Sequence, residues 1–292
     1  MAIPRSKTRG ALYRLYRTSL LASALAAAPL GAQPSDTTAI SQKPLFVQKD
    51  AYYAGAFVLA TIAAAPLDKY FAQRLQRPWA QENRFLEKTA DIFRWTGQPG
   101  AYIIGASMYG IGRLTDNERM ADLGLHGTES LVAGQLTGAV LKGLFGRARP
   151  YVNPDNPNPF QFKFGRGFGR NDAYRSFPSG HTVAGFAAAS AVVTETGRWW
   201  PNSTWYVGPL MYGGASLIGL SRMYNNKHWA SDVITGALIG SFAGRKIVRY
   251  HHSHPGNKID DVFLSGSISR GGNGGMALRM LILPGAMALS RR

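Results

Sequence analysis

Cysteine is absent from the 292 residues. That excludes disulfides, zinc–thiolate centres and a thiol nucleophile. Acidic residues are scarce: 16 Asp and Glu stand against 33 Lys and Arg, a formal net charge of +17. Such an imbalance calls for an anionic partner, whether nucleic acid, a membrane surface or a phosphate ester, and composition does not choose among them. Long apolar runs are also scarce. The segment 51–67 has 17 uncharged residues, at the lower limit for crossing a bilayer, and most other apolar segments are shorter. No stretch between 51 and 250 alternates at period two, and no internal repeat is visible. A hydrophobic fraction of 45% is ordinary for a folded chain and argues against extended disorder.

What is present begins with a basic leader. Arg5, Lys7, Arg9, Arg14 and Arg17 precede an apolar stretch, Leu20 to Leu30, which ends in Gly31-Ala32. This is the pattern of a secretory signal peptide, with cleavage expected after Ala32 and residues 33–49 as a polar linker. An amphipathic helix or an uncleaved anchor is the other reading. Helices are expected near 51–66, 82–96, 100–114, 119–145, 180–196, 205–220 and 230–250, giving an all-α bundle over 50–254. Within 82–96, Phe85, Leu86, Thr89, Ile92 and Phe93 form one stripe. The tail 255–292 holds two short segments around a Gly-rich turn, a candidate β-hairpin. A mean hydropathy of −0.13 favours a mainly soluble bundle resting on the membrane, its helices buried by one another, over an integral inner-membrane protein.

Three clusters carry chemistry. Lys142 and Arg149 lie seven apart before Pro150, a spacing that puts two cations on one helix face to hold an oxyanion. Pro178-Ser179-Gly180-His181 opens an apolar segment, where Ser179 caps a helix whose free N–H groups favour an anion. Ser221-Arg222 precedes His228 and Asp232; at i,i+4 on a helix the carboxylate can hold Nδ1–H and leave Nε2 nucleophilic. Each cluster alone has a bland structural reading. Together they supply charge neutralisation, a nucleophile, its orienter and an acid.

With these residues in order, the sequence resembles the type 2 phosphatidic acid phosphatase / vanadium-dependent haloperoxidase superfamily. The resemblance implies an α-bundle and a phosphohydrolase that needs no metal. It implies that His228 attacks phosphorus, Asp232 orients it, and His181 protonates the leaving oxygen and then activates water. Lys142, Arg149, Ser179, Gly180 and Arg222 would cradle the phosphate. Vanadate is then an expected inhibitor, or the cofactor if the chain is a haloperoxidase. A non-catalytic envelope protein binding anionic lipid is the remaining alternative. The expected partner is a phosphate ester or lipid phosphate, at an anionic membrane surface of the cell envelope; nucleic acid is not expected.

Two further features stay open. The connection 150–178 interleaves Tyr151, Phe160, Phe162, Phe164 and Phe168 with Lys163, Arg166, Arg170 and Arg175, and could grip an ester with an apolar tail. His251, His252 and His254 read as helix C-terminal histidines rather than metal ligands, because no carboxylate lies in register nearby in sequence.

Overall fold

The computed structural model describes residues 44–254, 257–263, 267–270 and 276–279. The expected leader, and most of the expected linker, lie outside the described residues. Nine α-helices are described: α1 Gln48–Arg74, α2 Pro78–Gln81, α3 Arg84–Trp95, α4 Ala101–Leu114, α5 Glu118–Phe145, α6 Gly180–Trp199, α7 Thr204–Tyr224, α8 Ala230–Ser253 and α9 Lys258–Phe263. Every helix expected from the punctuation is present. Local chemistry explains several ends. The Asn83 side chain accepts from the N–H groups of Phe85 and Leu86 and starts α3; Asn117 accepts from Met120 and starts α5. In the tail, β1 Ser267–Arg270 pairs antiparallel with β2 Met276–Arg279.

Helix α6 is the centre, packed against α8, α7 and α5. Its inward faces are small: Ala184, Ala187, Ala189 and Ala191 are fully buried. Small residues let backbones approach closely. A Cβ at Gly240 of α8 would lie 2.3 Å from the Val183 carbonyl oxygen, so glycine is required at that crossing.

The outer helices do not bury one another as the hydropathy suggested. Tyr52, Val58, Leu59 and Ile62 of α1 are exposed, as are Ile103, Ile104 and Ile111 of α4, Val132, Leu136 and Val140 of α5, and Leu210 and Leu217 of α7. Helix α1 is the one described helix long and apolar enough to cross a membrane. Its polar attachments are few and specific. Thr61 bonds Thr235 at 2.7 Å, Asp50 meets Lys246 at 2.6 Å, and Asp68 is fully buried. The α3 stripe is split: Leu86, Thr89 and Phe93 are half-buried, whereas Phe85 and Ile92 are exposed, as is Trp95.

Candidate active site

Lys142 lies in the last turn of α5, which ends earlier than Pro150 would have ended it. Gly146 takes a left-handed φ of 52° and caps the helix. A Cβ there would also sit 1.9 Å from the Lys163 carbonyl oxygen, so only glycine fits. Arg149 therefore does not share a helix face with Lys142. It arrives on extended backbone, just after an isolated bridge between Arg147 and Phe162. The two cations meet by tertiary folding rather than by helical register.

Six of the eight expected site residues come to one end of the bundle as cleft wall. Lys142, Arg149, Gly180, His181, Arg222 and His228 line a cavity of about 260 Å³, together with Gln98, Gln135, Asp172 and Arg175. Ser179 and Asp232 sit behind it, fully buried. The expected cap is not made: the Ser179 side chain bonds no α6 N–H group, and its hydroxyl accepts from Thr182 at 2.8 Å.

His228 precedes α8 rather than lying on it. Its Nδ1 is 2.7 Å from the Ser176 carbonyl oxygen, and Asp232 Oδ2 is farther, at 3.6 Å. A carbonyl only accepts, so Nδ1 carries the proton and Nε2 keeps its lone pair. The expected orienter is thus a backbone carbonyl, with Asp232 one step removed. Asp232 accepts from the Trp229 N–H at 2.9 Å, from the Ser176 hydroxyl, and from Arg147 at 2.6 Å. It fixes both the start of α8 and the segment that holds His228. Burial alone would raise its pKa, but the Arg147 guanidinium holds the carboxyl well below the usual range.

Arg147, just two residues from Arg149, was not singled out by the sequence reading. It is buried, with Nη2 2.7 Å from Asp68 and Nη1 2.7 Å from the Ser231 hydroxyl, besides its bond to Asp232. Asp68 also accepts from the Ser231 N–H at 2.7 Å. This network ties α1 to the start of α8. The one signal in the sequence is the acid Asp68 directly after the uncharged run 51–67.

The cleft is strongly positive. Lys142 donates to the carbonyls of Arg175 and Pro178, both at 2.8 Å. Burial, with Arg149 nearby, pushes its pKa down to about 7. Arg149 is held by Asp172 at 2.7 Å and by the Lys227 carbonyl at 3.1 Å. Arg222 differs: it is buried, and its Nε and Nη1 have no hydrogen-bond partner among the described residues. Burial, then Arg149, then Arg94 lower its pKa to about 10. The same forces act on the histidines. Burial, then Arg222 and Arg149, pull His181 down to about 3. Burial, then Arg149 and Lys142, hold His228 well below its usual value, although Asp232 opposes them. An arrangement of this kind stores unfavourable charge that an incoming anion relieves. Gln135 and Gln98 donate to the Gly180 carbonyl, at 2.5 and 3.5 Å, and pin the start of α6.

The aromatic connection does lie beside the cleft, through Asp172 and Arg175. Phe160, Phe164 and Phe168 are exposed, and Lys163 and Arg166 stand over the Tyr174 ring.

Comparison with known proteins follows the same residues. The PAP2 superfamily model matches residues 125–254. A Porphyromonas gingivalis protein named lipid A 1-phosphatase is 42% identical over 87 residues, which is 30% of this chain and 19% of that one. A Sulfolobus acidocaldarius protein named undecaprenyl-diphosphatase is 27% identical over 150 residues, 50% of this chain and 63% of that one. The chain thus spans under two thirds of the length of either relative. Among solved structures, a transmembrane PAP2-type phosphatidylglycerolphosphate phosphatase from Bacillus subtilis covers 72% of this chain and 100% of its own, at 20% identity and a TM-score of 0.49. Aquifex aeolicus LpxE covers 63% and 96%, at 21% identity and a TM-score of 0.44. All three sequence clusters fall inside residues 125–254, the segment that matches the PAP2 superfamily.

Proposed function

We propose that the chain is a phosphohydrolase acting on lipid phosphates or diphosphates through a phosphohistidine. One observation carries the reading: the bare Nε2 of His228 and the unpartnered guanidinium of Arg222 line the same cationic cleft. The names of the two relatives, a lipid A 1-phosphatase and an undecaprenyl-diphosphatase, support a lipid-linked phosphate as substrate. Exposed phenylalanines in the connection that reaches the cleft through Asp172 and Arg175, and apolar outer faces on α1, α4, α5 and α7, support a site at a lipid surface. The catalytic groups stand at helix ends and in loops, where water and headgroups reach them.

His228 Nε2 forms a bond to phosphorus as the bond to the leaving oxygen breaks, and His181 delivers a proton to that oxygen. Water then attacks phosphorus, His181 takes its proton, and the P–N bond breaks. Lys142, Arg149 and Arg222 neutralise the non-bridging oxygens throughout. Gly180, at the start of α6, contributes a backbone edge; Ser179 supports it from behind. Each side chain in this scheme is the protein's own, and a metal ion has no part in it. Vanadate should inhibit by occupying the phosphate position.

The cations keep His181 neutral until a phosphate arrives. A bound dianion offsets Arg222 and Arg149 and lets His181 gain its proton. Activity should therefore fall on the acid side as His228 becomes protonated, and on the alkaline side as His181 and Lys142 lose protons. Because free His181 is neutral above about pH 3, its proton must enter with a monoprotonated phosphate group; the alkaline limb of kcat/KM should then fall near pH 7, where Lys142 titrates, and that of kcat should lie higher, because the bound anion raises both groups. A panel comparing phosphate release from phosphatidate, a polyprenyl diphosphate, lipid A and a soluble phosphomonoester tests the substrate class. Turnover only of the soluble ester would overturn the lipid reading; release from none would overturn the enzyme reading.

A further inference from the structure

The end of the bundle opposite the cleft holds a second buried cluster of ionisable groups. Helix α5 supplies His126 and Glu129, α6 Glu195, α8 His251, and α9 Asp260. His126 lies 16 residues before Lys142 on the same helix, about 24 Å along its axis. The phosphate chemistry makes no use of this cluster.

The hydrogen bonds fix the tautomers. His126 Nδ1 is 2.6 Å from Glu195 Oε1, both groups buried. A carboxylate accepts, so Nδ1 carries the proton and Nε2 is a bare lone pair. That Nε2 is buried without a hydrogen-bond partner among the described residues, and lies 3.6 Å from Asp260 Oδ1. His251 faces a carboxylate at each nitrogen: Nε2 is bonded to Glu129 Oε2, and Nδ1 lies 2.6 Å from the same Asp260 oxygen and shares a proton with it. The two imidazoles stack with centroids 4.2 Å apart, and Asn257 Nδ2 donates to the other Asp260 oxygen and lies 3.3 Å from His251 Nδ1.

Two imidazole nitrogens and a carboxylate oxygen therefore converge, all within 4.8 Å of one another. The proton between His251 and Asp260 satisfies that pair alone and leaves His126 Nε2 orphaned. A cation that displaces this proton satisfies all three. We propose that His126 Nε2, His251 Nδ1 and Asp260 form a binding site for a divalent transition ion of the zinc class. Two imidazoles and one carboxylate suit that ion and leave a position for water. Glu195 and Glu129 are the outer carboxylates that orient each imidazole, the usual companions of metal-bound histidine. The neighbouring set His126, Glu195 and His252 is the weaker candidate, because Glu195 already bonds His126 Nδ1 and His252 Nε2, the latter at 2.8 Å. An ion here would pin α9 to the base of α5 and α8, a structural role remote from phosphate release.

The test uses the purified full chain without a histidine tag, stripped with chelator and titrated with zinc chloride by calorimetry, with elemental analysis of the product. The expected result is one ion per chain and a Tm higher by roughly 5–10 °C at a hundredfold excess over Kd. His126→Ala and His251→Ala should weaken binding by about 100-fold or more, and Glu195→Gln and Glu129→Gln by about 10- to 100-fold. Asp260→Asn is the safeguard against misfolding, since α9 lies outside the main bundle; it too should weaken binding, and His252→Ala should not. Absence of stoichiometric zinc would overturn the proposal, as would unchanged affinity in both His126→Ala and Asp260→Asn. Loss of binding in His252→Ala with retention in His251→Ala would overturn this ligand set.

Discussion

Replacing His228 by Ala should lower phosphate release by at least about 10⁴-fold, the scale seen when a covalent nucleophile is removed. It should also abolish an acid-labile phosphoenzyme, trapped by rapid quench with labelled substrate. The geometry gives this prediction its force. Nδ1 is committed to the Ser176 carbonyl, so the ring has one basic nitrogen, and His228 lines the cleft. The fold should tolerate the change, since the ring makes one hydrogen bond and its burial disfavours the charged form. Asp232→Asn separates orienter from nucleophile. If Asp232 held the imidazole directly, the two variants would lose similar activity. Because the carbonyl holds it, Asp232→Asn should retain phosphoenzyme formation at a reduced rate and lose more in stability. Undiminished turnover or labelling in His228→Ala would remove the mechanism altogether.

The residues of the proposed site were legible because the phosphate chemistry expected of them needs rare residue types in a fixed order. Lys142, Arg149, His181, Arg222 and His228 all reach the cleft. The helices were legible because Asn, Gly and Pro punctuate them. What the sequence hid is set by tertiary contact. The i,i+4 spacing suggested that Asp232 holds His228 on a helix, but α8 begins after His228, and the Ser176 carbonyl takes the place. The spacing of Lys142 and Arg149 suggested one helix face, but Gly146 ends α5 between them. The carboxylates that meet His251 are Glu129, 122 residues away, and Asp260, nine residues on and in a separate helix, so neither stands in helical register with it. The modest average hydropathy misled in a different way. Basic loops and termini dilute it, whereas the outer faces of α1, α4, α5 and α7 are apolar. An average over the chain does not see a face.

Two buried arginines should respond to removal in opposite ways. Arg147→Met strands Asp68 and Asp232, both fully buried, without their shared counter-charge. Breaking a buried pair from one side costs about 3–5 kcal/mol, because the remaining charge has lost its partner but not its burial. The expected Tm loss is roughly 6–20 °C for a chain of this size. Activity should fall with it, since Asp232 and Ser176 set the position of His228. Arg222→Met removes a guanidinium whose Nε and Nη1 are unpartnered and whose charge is disfavoured by burial and by Arg149. Its folded-state pKa lies below the ordinary value, so the charge opposes folding at neutral pH, and stability should hold or rise. Turnover should nonetheless drop about 10²- to 10³-fold, the cost of one preorganised donor to a phosphate oxygen. Thermal melting and phosphate release on the same preparations give both readouts. Equal stability losses in the two variants would mean that Arg222 is a structural residue, and would take the anion-ready cleft with it. A fall in stability for Arg147→Met alone, with catalysis lost in both, is the result this charge arrangement requires: one arginine has its counter-ions inside the fold, and the other waits for them in the substrate.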